Sequence, residues 1–149
     1  MLVSENLLAN MLIISNNLLV HNRKKLKVCI IKVSGLRESV YCLRRICEFL
    51  YMNPETFPIL SEQKVYRESL TKWLNNRLVK LEPRTRYFSM NRTAQLANIS
   101  RYKLEQLVAE KKVKHKEVLC NNKKYKVVFT NSNIMSIKRL YAKTHRKAV

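Results

Sequence analysis

One glycine, three prolines and no aspartate occur in the 149 residues. Loops that cradle phosphate need several glycines to bring backbone close to the anion, so the lone Gly35 excludes a P-loop and a dinucleotide fingerprint. All ten acids are glutamates. Two-metal nuclease cores cluster Asp with Glu, a set that is hard to assemble here. The cysteines Cys29, Cys42, Cys47 and Cys120 form no C-x-x-C pair. Cys42 and Cys47 would stand roughly 140° apart on a helix. The expectation is four small apolar residues in a reducing compartment, with no metal and no cofactor. The first residues lack the basic segment of a signal peptide. The apolar stretch to Val20 is interrupted by Asn10, Ser15, Asn16 and Asn17, too polar for a membrane span. An intracellular protein is expected, in the cytoplasm or nucleoid, or in the nucleus of a eukaryote. No internal repeat and no low-complexity tract stand out.

What is abundant is positive charge: 30 Lys+Arg against 10 Glu, a formal net charge of +20. Such an excess repels itself in a compact fold, and a polyanion relieves the repulsion. An A+T-rich genome would also enrich Lys and the 14 asparagines, but it leaves the missing aspartates unexplained. The charge is uneven. From Leu81 onward 17 basic residues face four glutamates, whereas the first 80 residues hold 13 against six. The balance predicts a non-enzymatic, nucleic-acid-binding protein whose electrostatic footprint is densest at the C-terminal end.

Leu7, Leu8, Met11, Leu12, Ile14, Leu18 and Leu19 recur at three- and four-residue spacing, which predicts one amphipathic helix capped by Ser4. The β-branched run from Leu26 to Val33 predicts a short strand, with a continued helix as the alternative. Leu36, Val40, Leu43, Cys47 and Leu50 predict a second helix, ended by Pro54 and Pro58. Ser61 starts a third, carrying Tyr66, Leu70, Trp73, Leu74, Arg77 and Leu78, with Trp73 in the core. The Leu81–Arg86 segment reads as a boundary. It divides a helical region, 1–81, from a DNA-binding domain, 82–149.

Past that boundary, Asn91–Ala97 predicts a short helix and Arg101–Lys111 a second one with Leu104, Leu107 and Val108 inward. Between them Asn98 tolerates the left-handed conformation, Ile99 plugs the core and Ser100 caps the next helix. This is a helix–turn–helix, and its second helix leaves Arg101, Tyr102, Lys103 and Gln106 exposed at its start, where such helices touch base edges. Arg bonds two acceptors of guanine and Gln bonds adenine in the same two-point way. Val113–Leu119 and Tyr125–Phe129 flank Asn121-Asn122-Lys123 as a hairpin, with Tyr125, Val127 and Phe129 alternating inward. Arg84, Arg86, Arg92, Lys111, Lys112, Lys114, Lys116, Lys123, Lys124 and Lys126 are the candidate phosphate contacts. Thr130 or Ser132 starts a last helix with Ile134, Ile137, Leu140 and Tyr141 on one face.

Residues 88–142 thereby resemble the winged helix–turn–helix domains of MerR-type regulators and of phage or transposon excisionases. The matching pieces are Thr93-Ala94-Gln95-Leu96-Ala97-Asn98-Ile99-Ser100-Arg101, Leu104, Leu107 and Tyr125-Lys126-Val127-Val128-Phe129. Asn98 stands where the family's turn glycine is common, and Lys111-Lys112 where a glycine usually follows the recognition helix. The resemblance implies double-stranded DNA binding, in transcription regulation or in recombination and excision. The fold expected is mainly α: an N-terminal helical region, then a winged helix–turn–helix with a two-stranded wing. An enzyme built on Tyr141, His145 and Arg146 would need further Arg and His residues on a rigid platform, which the tail does not supply. Two alternatives stay open: an RNA-binding or ribonucleoprotein-assembly protein, and a DNA-targeting subunit of a transposition or replication complex. Residues 1–80 offer more apolar surface than three short helices usually bury, which predicts a homodimer or a protein partner docked there, and no membrane contact.

Overall fold

A computed structural model describes residues 1–57, 64–77, 79–82, 85–121 and 124–147, of which 64–66 and 142–147 are described by their backbone alone. Within these residues lie helices α1 (Glu5–Leu12), α2 (Asn16–His21), α3 (Leu43–Met52), α4 (Lys64–Asn75), α5 (Met90–Ala97), α6 (Arg101–Ala109) and α7 (Asn131–Lys147). The strands are β1 (Leu2–Ser4), β2 (Ile30–Ile31), β3 (Val33–Ser34), β4 (Val40–Cys42), β5 (Tyr87–Ser89), β6 (Lys116–Leu119) and β7 (Tyr125–Phe129). The chain divides into two compact units. The first comprises Met1–Ile31, Glu38–Arg84 and Val118–Tyr125; the second comprises Lys32–Arg37, Thr85–Glu117 and Lys126–Val149.

Seven strands in mixed ladders overturn the expected mainly-α fold with a lone two-stranded wing. The physical reason is edge pairing. A free two-stranded hairpin is marginal in water, and its open edges invite another strand. In the first unit β4 pairs antiparallel with both β1 and β2, and β1 pairs parallel with Val118 and Leu119 of β6. In the second unit β5 pairs antiparallel with β7 and parallel with β3. Each unit therefore contains a strand segment that arrives from the other end of the chain.

Four further expectations change. The Leu7–Leu19 stripe is two helices, because Ile13 turns left-handed (φ 57°) and Ser15 caps α2 with a bond from the Leu18 amide. Leu26–Val33 holds a single 3-10 turn, the two-residue strand β2 and the first residue of β3. The Leu36–Leu50 stripe is a strand and then a helix: Val40, Tyr41 and Cys42 are buried together between ladders before α3 begins. In β7 the alternation fails, for Tyr125 is exposed while Val128 and Phe129 are both fully buried. The helix start at Ser61 and the tip at Asn122-Lys123 lie outside the described residues.

The chain also repeats itself, contrary to the reading of its sequence. Ser4, Asn6, Ala9, Ile14, Ser15 and Leu19 recur, 85 positions on, as Ser89, Asn91, Ala94, Ile99, Ser100 and Leu104. Ser4 accepts from the Leu7 amide and Ser89 from the Arg92 amide. Ile13 (φ 57°, ψ 46°) matches Asn98 (φ 56°, ψ 44°). The parallel ladders obey the same offset, since Leu2 faces Val118 and Tyr87 faces Val33. Both copies run strand, helix, left-handed corner, helix, strands, helix, with a 3-10 turn and the short strands β2, β3 and β4 in the first where the second has β6 and β7.

Each unit has its own core. Leu8, Leu12 and Leu19 sit with Ile46, Leu50 and Phe57 in the first. Each side chain buried this way contributes roughly 1.5–3 kcal/mol. The stripe of α1 is thus used inside its own unit, and Leu8→Glu would break the core rather than a docking surface. Trp73 is half-buried against the same core. In the second unit Leu104, Leu107, Phe129, Ile134 and Ile137 pack together. Gly35 also belongs to this unit. Its φ is +95°, and a Cβ there would run into the Ser89 hydroxyl that caps α5. Only glycine fits both demands.

Candidate nucleic-acid interface

The second unit builds its corner from local signals. Ser89 caps α5, and the Asn98 amide returns to the Ala94 and Gln95 carbonyls, closing the helix with a left-handed residue. Ile99 donates its amide to Ala94 and is half-buried against the core. Ser100 accepts from the Lys103 amide and starts α6. At the far end Lys111 also takes φ 57°, with its amide bonded to Val108 and that of Lys112 to Leu107. Lysine thus adopts the turn for which a glycine is usual.

Leu104 and Leu107 face the core, so the opposite side of α6 centres on Tyr102 and Gln106, one turn apart. Tyr102 is 75% exposed. Arg101 and Lys103, roughly 160° apart around the axis, stand on opposite flanks. The Arg101 guanidinium is held by two groups that the sequence reading missed. Its Nε donates to Glu105 at 2.9 Å and its Nη1 to Asn91 of α5 at 2.8 Å. Both ends of the Arg101–Glu105 pair are half exposed. Such a helical pair is worth only about 0.3–0.5 kcal/mol, so a phosphate or a guanine edge can take its place. The i, i+4 spacing of Arg101 and Glu105 was the available sign in the sequence.

The candidate phosphate contacts fall into groups. Lys111, Lys114 and Lys116 line a cavity of about 480 Å³ together with His115, Thr130 and Asn133. Thr130 and Asn133 cap α7 reciprocally, at 2.9 and 3.2 Å. Three lysines therefore meet the positive end of a helix in one groove, a combination suited to an anion. Lys112 pairs with Glu110 at 2.9 Å. Arg86 lies over the Phe88 ring at 5.5 Å, and Arg92 bonds Gln95. Lys126 is exposed in the second unit, whereas Lys124 is exposed in the first. Arg84 and Lys123 lie outside the described residues.

Charge follows the same division. The second unit holds 16 Lys+Arg against three Glu, the first 14 against seven. Each of the three glutamates, Glu105, Glu110 and Glu117, already faces Arg101, Lys112 or His115. Among the described residues no group of three or more His, Cys or Glu could hold a metal ion, and no helix is long and apolar enough to cross a membrane. No two of the four cysteines form a disulfide; burial pushes Cys47 up to about 12. No family model, no curated protein and no solved structure matches the chain.

Proposed function

We propose that the protein is a non-enzymatic double-stranded DNA-binding protein that serves in transcription regulation or in recombination. One observation carries the reading: the second unit has a charge excess of 13 and carries both the exposed face of α6 and a groove lined by Lys111, Lys114 and Lys116. In this reading Tyr102 and Gln106 meet base edges in the major groove, flanked by Arg101 and Lys103. Lys111, Lys114 and Lys116 hold phosphates, with Arg86, Arg92, Lys112 and Lys126 adding to the field. The test is competition between duplex DNA and A-form RNA for the full chain at fixed salt. Duplex DNA should win, with log affinity falling steeply against log salt. Preference for A-form RNA would overturn the proposal.

A second reading rests on Tyr125. Its ring is 58% exposed between Lys124 and Lys126, and exposed aromatics among lysines stack on unpaired bases. If RNA is the ligand, Tyr125→Ala should weaken single-stranded RNA binding at least tenfold, since stacking contributes about 1–3 kcal/mol per base.

A further inference from the structure

The repeat places α2 in the first unit where α6 stands in the second. The positions equivalent to Arg101, Tyr102, Glu105 and Gln106 are Asn16, Asn17, Val20 and His21, and all four are exposed. Lys24, Lys25 and Lys27 follow, also exposed, and none of them meets a carboxylate among the described residues. The only acid in residues 1–31 is Glu5, which is 5% exposed beneath Arg23 and Tyr41. This corner thus presents the Asn17 amide, the His21 imidazole and three lysines to solvent, while the Asn16 amide donates to Asn6, whose backbone N–H donates to the Glu38 carboxylate at 3.1 Å. Asn side chains bond adenine in two-point fashion, and lysines bond phosphate.

We infer that the α2 corner is a second contact for double-stranded DNA, so that one chain carries two DNA-contacting corners. The inference rests on the reading of the second unit given above. The neutral amides suit base edges, while the lysines after α2 take the phosphates. Exposed Ile13 and Val20 suit the methyl group of thymine.

The test uses the full chain and a random-sequence duplex, with binding followed across a salt series. Lys24→Ala, Lys25→Ala and Lys27→Ala combined should lower the slope of log affinity against log salt by about 2–3, near 0.9 per lost phosphate contact. Arg67→Ala, Lys72→Ala and Arg77→Ala combined remove the same charge from exposed positions in or just after α4, and should lower it by less than about 1. Asn17→Asp, which changes no buried group, should weaken binding at least tenfold. Equal small effects from both triple variants would overturn the second contact and leave the reading of α6 standing. A wild-type chain that binds no duplex would overturn both. A lysine variant that changes sedimentation but not DNA binding would show a protein contact instead, and would overturn the inference.

Discussion

Residues 2–21 and 87–106 share one backbone course, two serine caps and a left-handed corner, yet they hold that corner by opposite means. In the first copy Glu5 enters the core and takes three hydrogen bonds, two from Arg23 (2.6 and 3.0 Å) and one from the Tyr41 hydroxyl (2.7 Å). In the second copy Met90 and Val108 stand at the 85-residue offset from Glu5 and Arg23, and Phe129, opposite Phe88 as Tyr41 is opposite Val3, takes the place of Tyr41; all three are apolar. A polar triad in one copy and an apolar packing set in the other fit the same frame. The difference also decides the surfaces. The first copy buries Glu5 and has Val20 where the second keeps Glu105 outside as a latch on Arg101. The frame is set by caps and ladders; the side chains it displays are free to vary.

Separating the two copies should have the largest effect. The first unit needs Val118–Tyr125 and the second needs Lys32–Arg37, including β3 and Gly35. A fragment of residues 85–149 therefore lacks a strand that its own sheet requires. It should show no cooperative thermal transition by circular dichroism, whereas the full chain should. A fragment that melts cooperatively and binds duplex DNA as the full chain does would show the exchanged strands to be dispensable.

Within one copy, Arg23→Ala leaves Glu5 buried with one remaining donor. A loss of about 2–3 kcal/mol is expected, below the full figure for a buried pair because the Arg23 side chain is 42% exposed. Installing the other copy's residues, Glu5→Met with Arg23→Val and Tyr41→Phe, should return stability to within about 1 kcal/mol of wild type, since apolar packing replaces a buried ion pair at little net cost. Urea unfolding measures both.

Alkaline pH separates the copies next. Burial, and then the bond to Glu5, raises the Tyr41 hydroxyl above its ordinary value. A group raised in the folded state contributes fully below its unfolded pKa of about 10 and loses that contribution as pH climbs past it. Stability should fall above pH ~10, less steeply in Tyr41→Phe. Identical alkaline profiles would remove Tyr41 from that role.

The smallest effect lies at the corner itself. Ile13 is a β-branched residue at φ 57° and 80% exposed, where Asn98 serves the second copy. Ile13→Asn should stabilise the chain by about 0.5–1 kcal/mol, because the strain is relieved and no packing is lost. Asn98→Ile should cost a similar amount.

Those two positions also explain what the sequence could tell. Asn98 between Ala97 and Ser100 announces a left-handed corner, and α5, α6 and α7 follow from caps and periodicity. Ile13 announces nothing of the kind, so the same corner hid inside an apolar stripe. With only six identities over residues 2–21, the repeat emerges only when ladders and caps are laid side by side. The strands were hidden for another reason. They run two to five residues, and their partners lie far off, as Leu2 with Val118 and Val33 with Tyr87. Val40-Tyr41-Cys42 was absorbed into the helical spacing of α3. Of the interface, the basic and exposed residues of α6 were legible because they need only one helix. The groove that joins Lys111–Lys116 to the start of α7 is a tertiary product.

If α6 reads duplex DNA while the lysine groove holds it, the two sets of side chains must fail differently. The direct measurement compares Gln106→Ala with the Lys111→Ala, Lys114→Ala pair on a duplex selected from a random pool and on the unselected pool. Gln106→Ala should cost about 1–3 kcal/mol on the selected duplex and little on the pool. The lysine pair should weaken both about equally and flatten the salt slope. Equal loss on both duplexes from Gln106→Ala, with no change of slope from the lysine pair, would contradict that reading.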